Sequence, residues 1–243
     1  MKPTQWSFRR IEKKYLMRKD QYERLMEALE DYIQPDDYPK STICNLYYDT
    51  PDYYLIRRSL EKPVYKEKFR LRTYGAPTED SPVFMEIKKK YKGVVYKRRV
   101  RSVASAAEEY LAGGPDPEVN DRQIMDEIRW FCRRYPLQPA MFLAYERMAY
   151  RAADDPNLRI TFDRNIRYRT EQMDMSHGDA GERLLPKDRV LMEIKIPGAT
   201  PLWLTHILSE LEIYPTSFSK YGRCYQKMLA EESEKKREET NCA

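Results

Sequence analysis

A chain of 243 residues that is 41% hydrophobic and 12% aromatic holds enough apolar material for a packed core, which excludes a disordered polyelectrolyte. Cys44, Cys132, Cys224 and Cys242 show no paired spacing, and His177 and His206 lie far apart, so neither a disulfide framework nor a Cys- or His-rich metal centre is expected. The net charge of +5 is unevenly placed: residues 66–101 hold twelve Lys/Arg against four Asp/Glu, a local +8 that leaves the remainder at −3. Such asymmetry favours an anionic ligand at one place over a uniformly adhesive surface.

The opening residues MKPTQWSFRR lack an apolar leader core, and no stretch approaches the ~18 apolar residues of a membrane span. A cytoplasmic protein with reduced thiols is therefore expected, with no membrane span of its own; a membrane-protein partner is possible. Residues 7–17 alternate imperfectly and end in a strand-like KYLM, and a helix follows with Asp20 as its N-cap and Leu25, Met26 and Leu29 on one face. Pro35 to Pro39 reads as a break, residues 42–48 as a strand, and Asp49-Thr50-Pro51 as turn chemistry. Strands then run to Arg101 with turns at Tyr74–Pro77 and Lys92-Gly93. Residues 103–134 read as helical, with one helix over 104–111 and, after GGPDP, a second that begins at Asn120 and carries Ile124, Ile128 and Phe131. Strands return at 140–151, 157–163, 165–169 and 189–196, before helices over 201–212 and 219–231. Residues 231–243 read as a charged, frayed tail after one domain over 1–230. About eight strands with interspersed helices predict an α+β fold with a closed or nearly closed antiparallel sheet.

Three of these strands carry the charge. Lys66, Lys68, Arg70 and Arg72 share one face of KEKFRLR, opposite Phe69 and Leu71. Glu86, Lys88 and Lys90 oppose Met85 and Ile87, and Lys97, Arg99 and Arg101 share the face of the next strand. Arg147, Arg159, Glu193 and Lys195 continue the pattern later in the chain. Alternation alone leaves two architectures open: an ordinary sheet with its charged face in water, or a curled sheet with that face inward. An inward face would bring like charges together at several kcal/mol per pair, even at an effective dielectric of about 20, so it would require an anion. Arg suits bidentate phosphate recognition and Lys supplies a mobile point charge. Nucleic acid is not the expected partner, because Tyr65, Tyr74, Tyr91 and Tyr96 sit at run ends and turns rather than among the cations.

The motifs RIEKKYLM, LYYDT, KFRLRTYG, FMEIKKKYKGVVYKRRV, YERMAY, LRITFD, LMEIKIPG and SFSKYG occur in that order. Together they resemble the VTC (vacuolar transporter chaperone) type polyphosphate polymerase domain of the CYTH, or triphosphate tunnel, superfamily, over roughly residues 7–228. The resemblance implies an eight-stranded antiparallel barrel forming a basic tunnel. It also implies transfer of the γ-phosphate of ATP to a growing polyphosphate chain with Mn²⁺ or Mg²⁺, pyrophosphate or triphosphate serving as primers or analogues. Under it, Arg70, Arg72, Lys88, Arg147 and Arg159 would clamp the reacting phosphates. Lys14, Lys68, Lys97, Arg99, Lys195 and Lys220 would bind the chain, and Glu193 and Glu12 would hold the metal. Two positions depart from the superfamily pattern. Arg10 stands where the tunnel triphosphatases carry the first carboxylate of ExExK, which favours a polymerase over a two-metal hydrolase, and Ser217 stands where the eukaryotic polymerase motif has a lysine. The alternatives are a metal-dependent triphosphatase and a non-catalytic polyphosphate or inositol-phosphate sensor.

Overall fold

Two-residue alternation gives the strands within residues 65–103 one apolar and one charged face, whereas residues 43–48 and 140–145 are largely apolar on both, so the sheet needs cover on both sides. The computed structural model describes residues 11–241, so Arg10 lies outside the described residues. Its elements are β1 (Ile11–Arg18), α1 (Lys19–Ala28), β2 (Ile33–Asp49), α2 (Tyr54–Leu60), β3 (Tyr65–Tyr74), β4 (Pro82–Tyr91) and β5 (Val94–Val103). They continue with α3 (Ala104–Leu111), α4 (Arg122–Arg134), β6 (Gln138–Ala152), β7 (Arg159–Arg169), β8 (Glu182–Arg183), β9 (Arg189–Ile196), α5 (Leu202–Glu210) and α6 (Lys220–Asn241). The fold is α+β. Eight strands follow one antiparallel path, β1-β9-β7-β6-β2-β3-β4-β5, with the two-residue β8 paired to β7.

The expected barrel is not closed by backbone hydrogen bonds: β1 and β5 are the two ends of the path, with no pairing between them among the described residues. Side chains span the opening instead. Lys88 Nζ on β4, next to the end strand, reaches Glu12 Oε2 on β1 at 3.2 Å, so the sheet curls until β1 faces the β4 side of the opening.

Three apolar clusters show how the faces are covered. On the outer face, Phe69, Leu71, Met85, Ile87 and Val100 pack under α3 and α4 through Ala107, Ile128 and Phe131. Tyr15, Met17, Phe162, Met192 and Ile194 pack under α1 and α5 through Leu25 and Leu208. The inner face is covered over only part of its area, where Ile43, Leu143, Tyr145, Ile166 and Leu191 meet Tyr221, Cys224 and Tyr225 of α6 and Ile56 of α2. The uncovered part is the charged part.

A bulge sets which β7 residues face inward. Between the pairs Glu146↔Arg164 and Ala144↔Arg167, β7 spends three residues where β6 spends two, with Asn165 at φ 48°. Inward positions therefore change from odd (Asp163) to even (Ile166, Tyr168), and the two strands expected over 157–163 and 165–169 are one bulged strand.

Other boundaries also shifted. Arg18, not Asp20, occupies the N-cap of α1, with Asp20 in the first turn. Residues 35–39 form a register break within β2 rather than ending it. The helix α2 was not expected. Its N-terminus is capped from a distance by buried Asp49, whose carboxylate accepts the amides of Leu55 (2.8 Å) and Ile56 (3.0 Å). The stretch expected to fray continues α6 as far as Asn241.

Candidate functional site

The uncovered inner face lines a cavity of about 1040 Å³. Strand pairing builds its wall directly. The β3–β4 register sets Arg70 across from Glu86 and Lys68 across from Lys88, and the β4–β5 register sets Lys88 across from Lys97. From the other flank, β1 and β9 set Lys14 across from Glu193 and Glu12 across from Lys195. The loop before α6 and its first turn close the floor with Ser217, Phe218, Ser219 and Lys220. Ser219 Oγ accepts the Gly222 amide at 3.2 Å, capping α6 with its N-terminus at the cavity.

Of the residues named from sequence, Lys14, Lys68, Arg70, Arg72, Lys88, Lys97, Arg147, Lys195, Lys220, Glu12 and Glu193 all line this cavity. Arg99 and Arg159 do not. Arg99 shares its strand face with Lys97 but lies beyond the cavity, its guanidinium 4.5 Å from the Phe84 ring centroid. Arg159 has the inward parity of Asp163 but begins β7, where it ion-pairs with Asp36 of the irregular β2 segment. Parity gives the face of a strand; it does not give the position along it.

Two buried carboxylates make this crowd of cations possible without a ligand. Glu86, 1% exposed, accepts from Arg70 Nε (2.9 Å) and Nη2 (2.7 Å) and pairs with Lys97 Nζ at 2.6 Å, with Arg72 Nε 3.9 Å away. Burial alone would raise its pKa, but Arg70, Arg72 and Lys97 hold it far below the usual carboxylate range. Asp163 does the same across the cavity. It accepts from Arg147 Nε (2.6 Å) and Nη2 (2.8 Å) and from Lys220 Nζ (2.5 Å), and those two cations depress its pKa despite full burial.

Neutral groups orient the arginines further. Arg72 Nε donates to Asn45 Oδ1 (2.9 Å), whose amide donates to Leu143 O, and Arg70 Nη1 donates to the Tyr47 hydroxyl at 2.9 Å. Tyr145 lies among Arg72, Arg147 and Lys220; burial raises its pKa, but these cations outweigh that and bring it to about 8. Asp163, Asn45, Tyr47 and Tyr145 were not among the expected site residues. Only Asp163 left a signal, as a lone acid on a strand face shared with arginine.

Lys68 and Lys14 have less compensation. Burial, reinforced by Lys66, Lys14, Lys88 and Arg70, lowers Lys68 to about 7, and its Nζ donates to Ser219 Oγ at 3.1 Å. Lys14 falls to about 8 through burial, opposed by Glu193. Glu193 is buried, yet Lys195 (3.3 Å), Lys14, Lys220 and Arg147 keep it ionised. No group of three or more His, Cys, Asp or Glu placed to hold a metal exists among the described residues. Glu193 and Glu12 are hard oxygen ligands suited to Mg²⁺ or Mn²⁺, but they cannot complete a coordination shell, so water and phosphate oxygens would supply the rest.

No helix among the described residues is long and apolar enough to cross a membrane. The model of the VTC domain matches residues 9–229. No curated protein matches the chain in sequence. Among solved structures, a protein put forward as an adenylate cyclase from Bacillus halodurans aligns with TM-score 0.52 at 16% identity, covering 86% of this chain and 92% of its own. The PH1819 protein of Pyrococcus horikoshii aligns at 0.46 and 14% identity, covering 90% and 99%. HpAC1 of Hippeastrum, described as having a dominant triphosphatase activity, aligns at 0.47 and 14%, covering 87% and 93%. The Bacillus halodurans likeness shows the fold: a curled antiparallel sheet of the tunnel type.

Proposed function

We propose that this chain, which belongs to the VTC domain family, is a phosphotransferase that moves the γ-phosphate of ATP onto the end of a polyphosphate chain bound in the cavity. The observation that carries this reading is the pair of buried carboxylates, Glu86 and Asp163. They fix Arg70, Arg147 and Lys220 in charged, oriented form before any ligand arrives. Such preorganised cations act on the charge spread over the equatorial oxygens of a transferring phosphoryl group, which is where this reaction needs help.

The further lysines that line the cavity suit a linear polyanion longer than one phosphate. The nucleophile is then a terminal phosphate oxygen of the chain, already ionised at neutral pH. It forms a bond to the γ-phosphorus as the bond to the β-phosphate oxygen breaks, and ADP leaves as an anion. No proton needs to be removed, which agrees with a cavity lined by no histidine. Arg70, Arg72 and Arg147 bind the reacting phosphates, while Lys14, Lys68, Lys88, Lys97 and Lys195 hold the remainder of the chain. Glu193 and Glu12 would hold a divalent ion, which would supply Lewis-acid polarisation of phosphoryl oxygens.

Incubation with ATP and Mn²⁺ followed by sizing of the product tests this directly. A long phosphate polymer, lost in Arg70→Ala, is expected. Orthophosphate alone would mean a triphosphatase, and tight phosphate binding without turnover would mean a sensor.

A further inference from the structure

Asp163 contacts no solvent and does not line the cavity, yet it holds two of the cations that do. It sits on β7 with Arg147 of β6 as its Cα partner on one side and Leu191 of β9 on the other. Both carboxylate oxygens are engaged: Oδ1 by Arg147 Nε, and Oδ2 by Arg147 Nη2 and Lys220 Nζ. Gripping the guanidinium by Nε and Nη2 fixes its plane and leaves Nη1 turned away from the carboxylate. The Lys220 contact ties the first turn of α6 to the sheet at the same point. Arg147 and Lys220 also flank one ring, at 5.2 Å and 4.4 Å from the Tyr145 centroid. Without the carboxylate, two like charges on separate elements would move apart or lose a proton.

We propose that Asp163 is a positioning residue, whose carboxylate holds Arg147 and Lys220 at the spacing and orientation in which both engage the transferred phosphoryl group. This rests on the phosphoryl-transfer reading above. Asp163 touches no substrate; it acts through Arg147 and Lys220.

Asp163→Asn keeps the side-chain shape while removing the charge. Calorimetry with triphosphate gives the binding-competent fraction and the affinity, and turnover of ATP with Mn²⁺ is then expressed per competent molecule. Triphosphate affinity within about threefold of wild type and turnover at least tenfold lower are expected. Turnover per competent molecule within twofold of wild type would overturn the proposal.

Asp163→Asn leaves two unbalanced buried cations and is at risk of not folding. The pair Arg147→Met and Asp163→Asn/Arg147→Met keeps the question answerable, because the double variant carries the same local net charge as the wild type. If Asp163 acts through Arg147 and Lys220, the second substitution removes only the Lys220 contact and lowers turnover by less than the tenfold expected when both contacts are lost. A further tenfold loss would contradict it. A purely structural carboxylate would lower the melting temperature without this non-additivity. Wild-type protein that binds no triphosphate would sink the functional reading itself, whatever the variants do.

Discussion

Glu86 is the residue on which the cationic wall depends most. A carboxylate with 1% exposure serves Arg70 and Lys97 directly, so removing its charge leaves the largely buried Arg70 and its neighbour Lys97 uncompensated. Glu86→Gln is therefore expected to lower folding stability by about 3–5 kcal/mol in denaturant titration, with part of the loss recovered by saturating triphosphate. A change under 1 kcal/mol would mean that the wall does not need its counter-charge. The lysines make a second statement at this scale. Burial lowers Lys68 to about 7, so at pH 8 it is largely neutral in the ligand-free protein; Lys97 shifts the same way, although its side chain is 38% exposed and paired with Glu86. In that state stability rises with pH between about 7 and 10.5, because there the unfolded chain holds the protons and the folded chain does not. A bound anion favours the charged forms, so triphosphate binding at pH 8 should take up on the order of one proton or more. Below pH 6 the uptake at these groups should vanish. Calorimetry in buffers of different ionisation enthalpy reads this, and an uptake that does not change with pH would rule it out.

Among the elements, α2 and α6 matter most to the site. Asp49 caps α2 and accepts the Tyr221 hydroxyl at 2.9 Å; Tyr221 of α6 stacks on Tyr47, and Tyr47 accepts from Arg70. Asp49→Ala should cost about 2 kcal/mol from the cap and the orphaned hydroxyl, read as a lower midpoint in denaturant. It should also weaken triphosphate binding through Tyr47. An unchanged midpoint would show that α2 holds without its distant cap. The strands β3, β4 and β5 were legible because period-two alternation of Lys/Arg with Phe, Leu, Met and Ile has no helical reading. α2 was not, because the seven residues YLIRRSL are too short for a helical period and their cap lies outside the adjacent turn. The β7 bulge was visible only as a break after Asp163. That Arg99 and Arg159 fall outside the cavity follows from where their strands begin and end, which alternation does not encode.

At the scale of the whole molecule, the sheet curls without closing. Its outer face is sealed by two helix layers, and its inner face is divided between the apolar seat of α6 and the charged cavity. The sequence left open whether the charged face met water or an interior. What settles it is long-range: Lys88 of β4 meeting Glu12 of β1 across the opening, and α6 entering the inner face, neither of which any local pattern specifies. The central claim is that this cavity is built for a linear phosphate chain rather than for anions in general. Melting temperature measured with triphosphate and with sulfate at equal ionic strength tests it most directly. Triphosphate at ~100 times its Kd adds about 2.7 kcal/mol of stability and so a clear upward shift, whereas sulfate is expected to add little. Equal shifts with the two anions would contradict the claim and reduce the cavity to a surface that attracts negative charge.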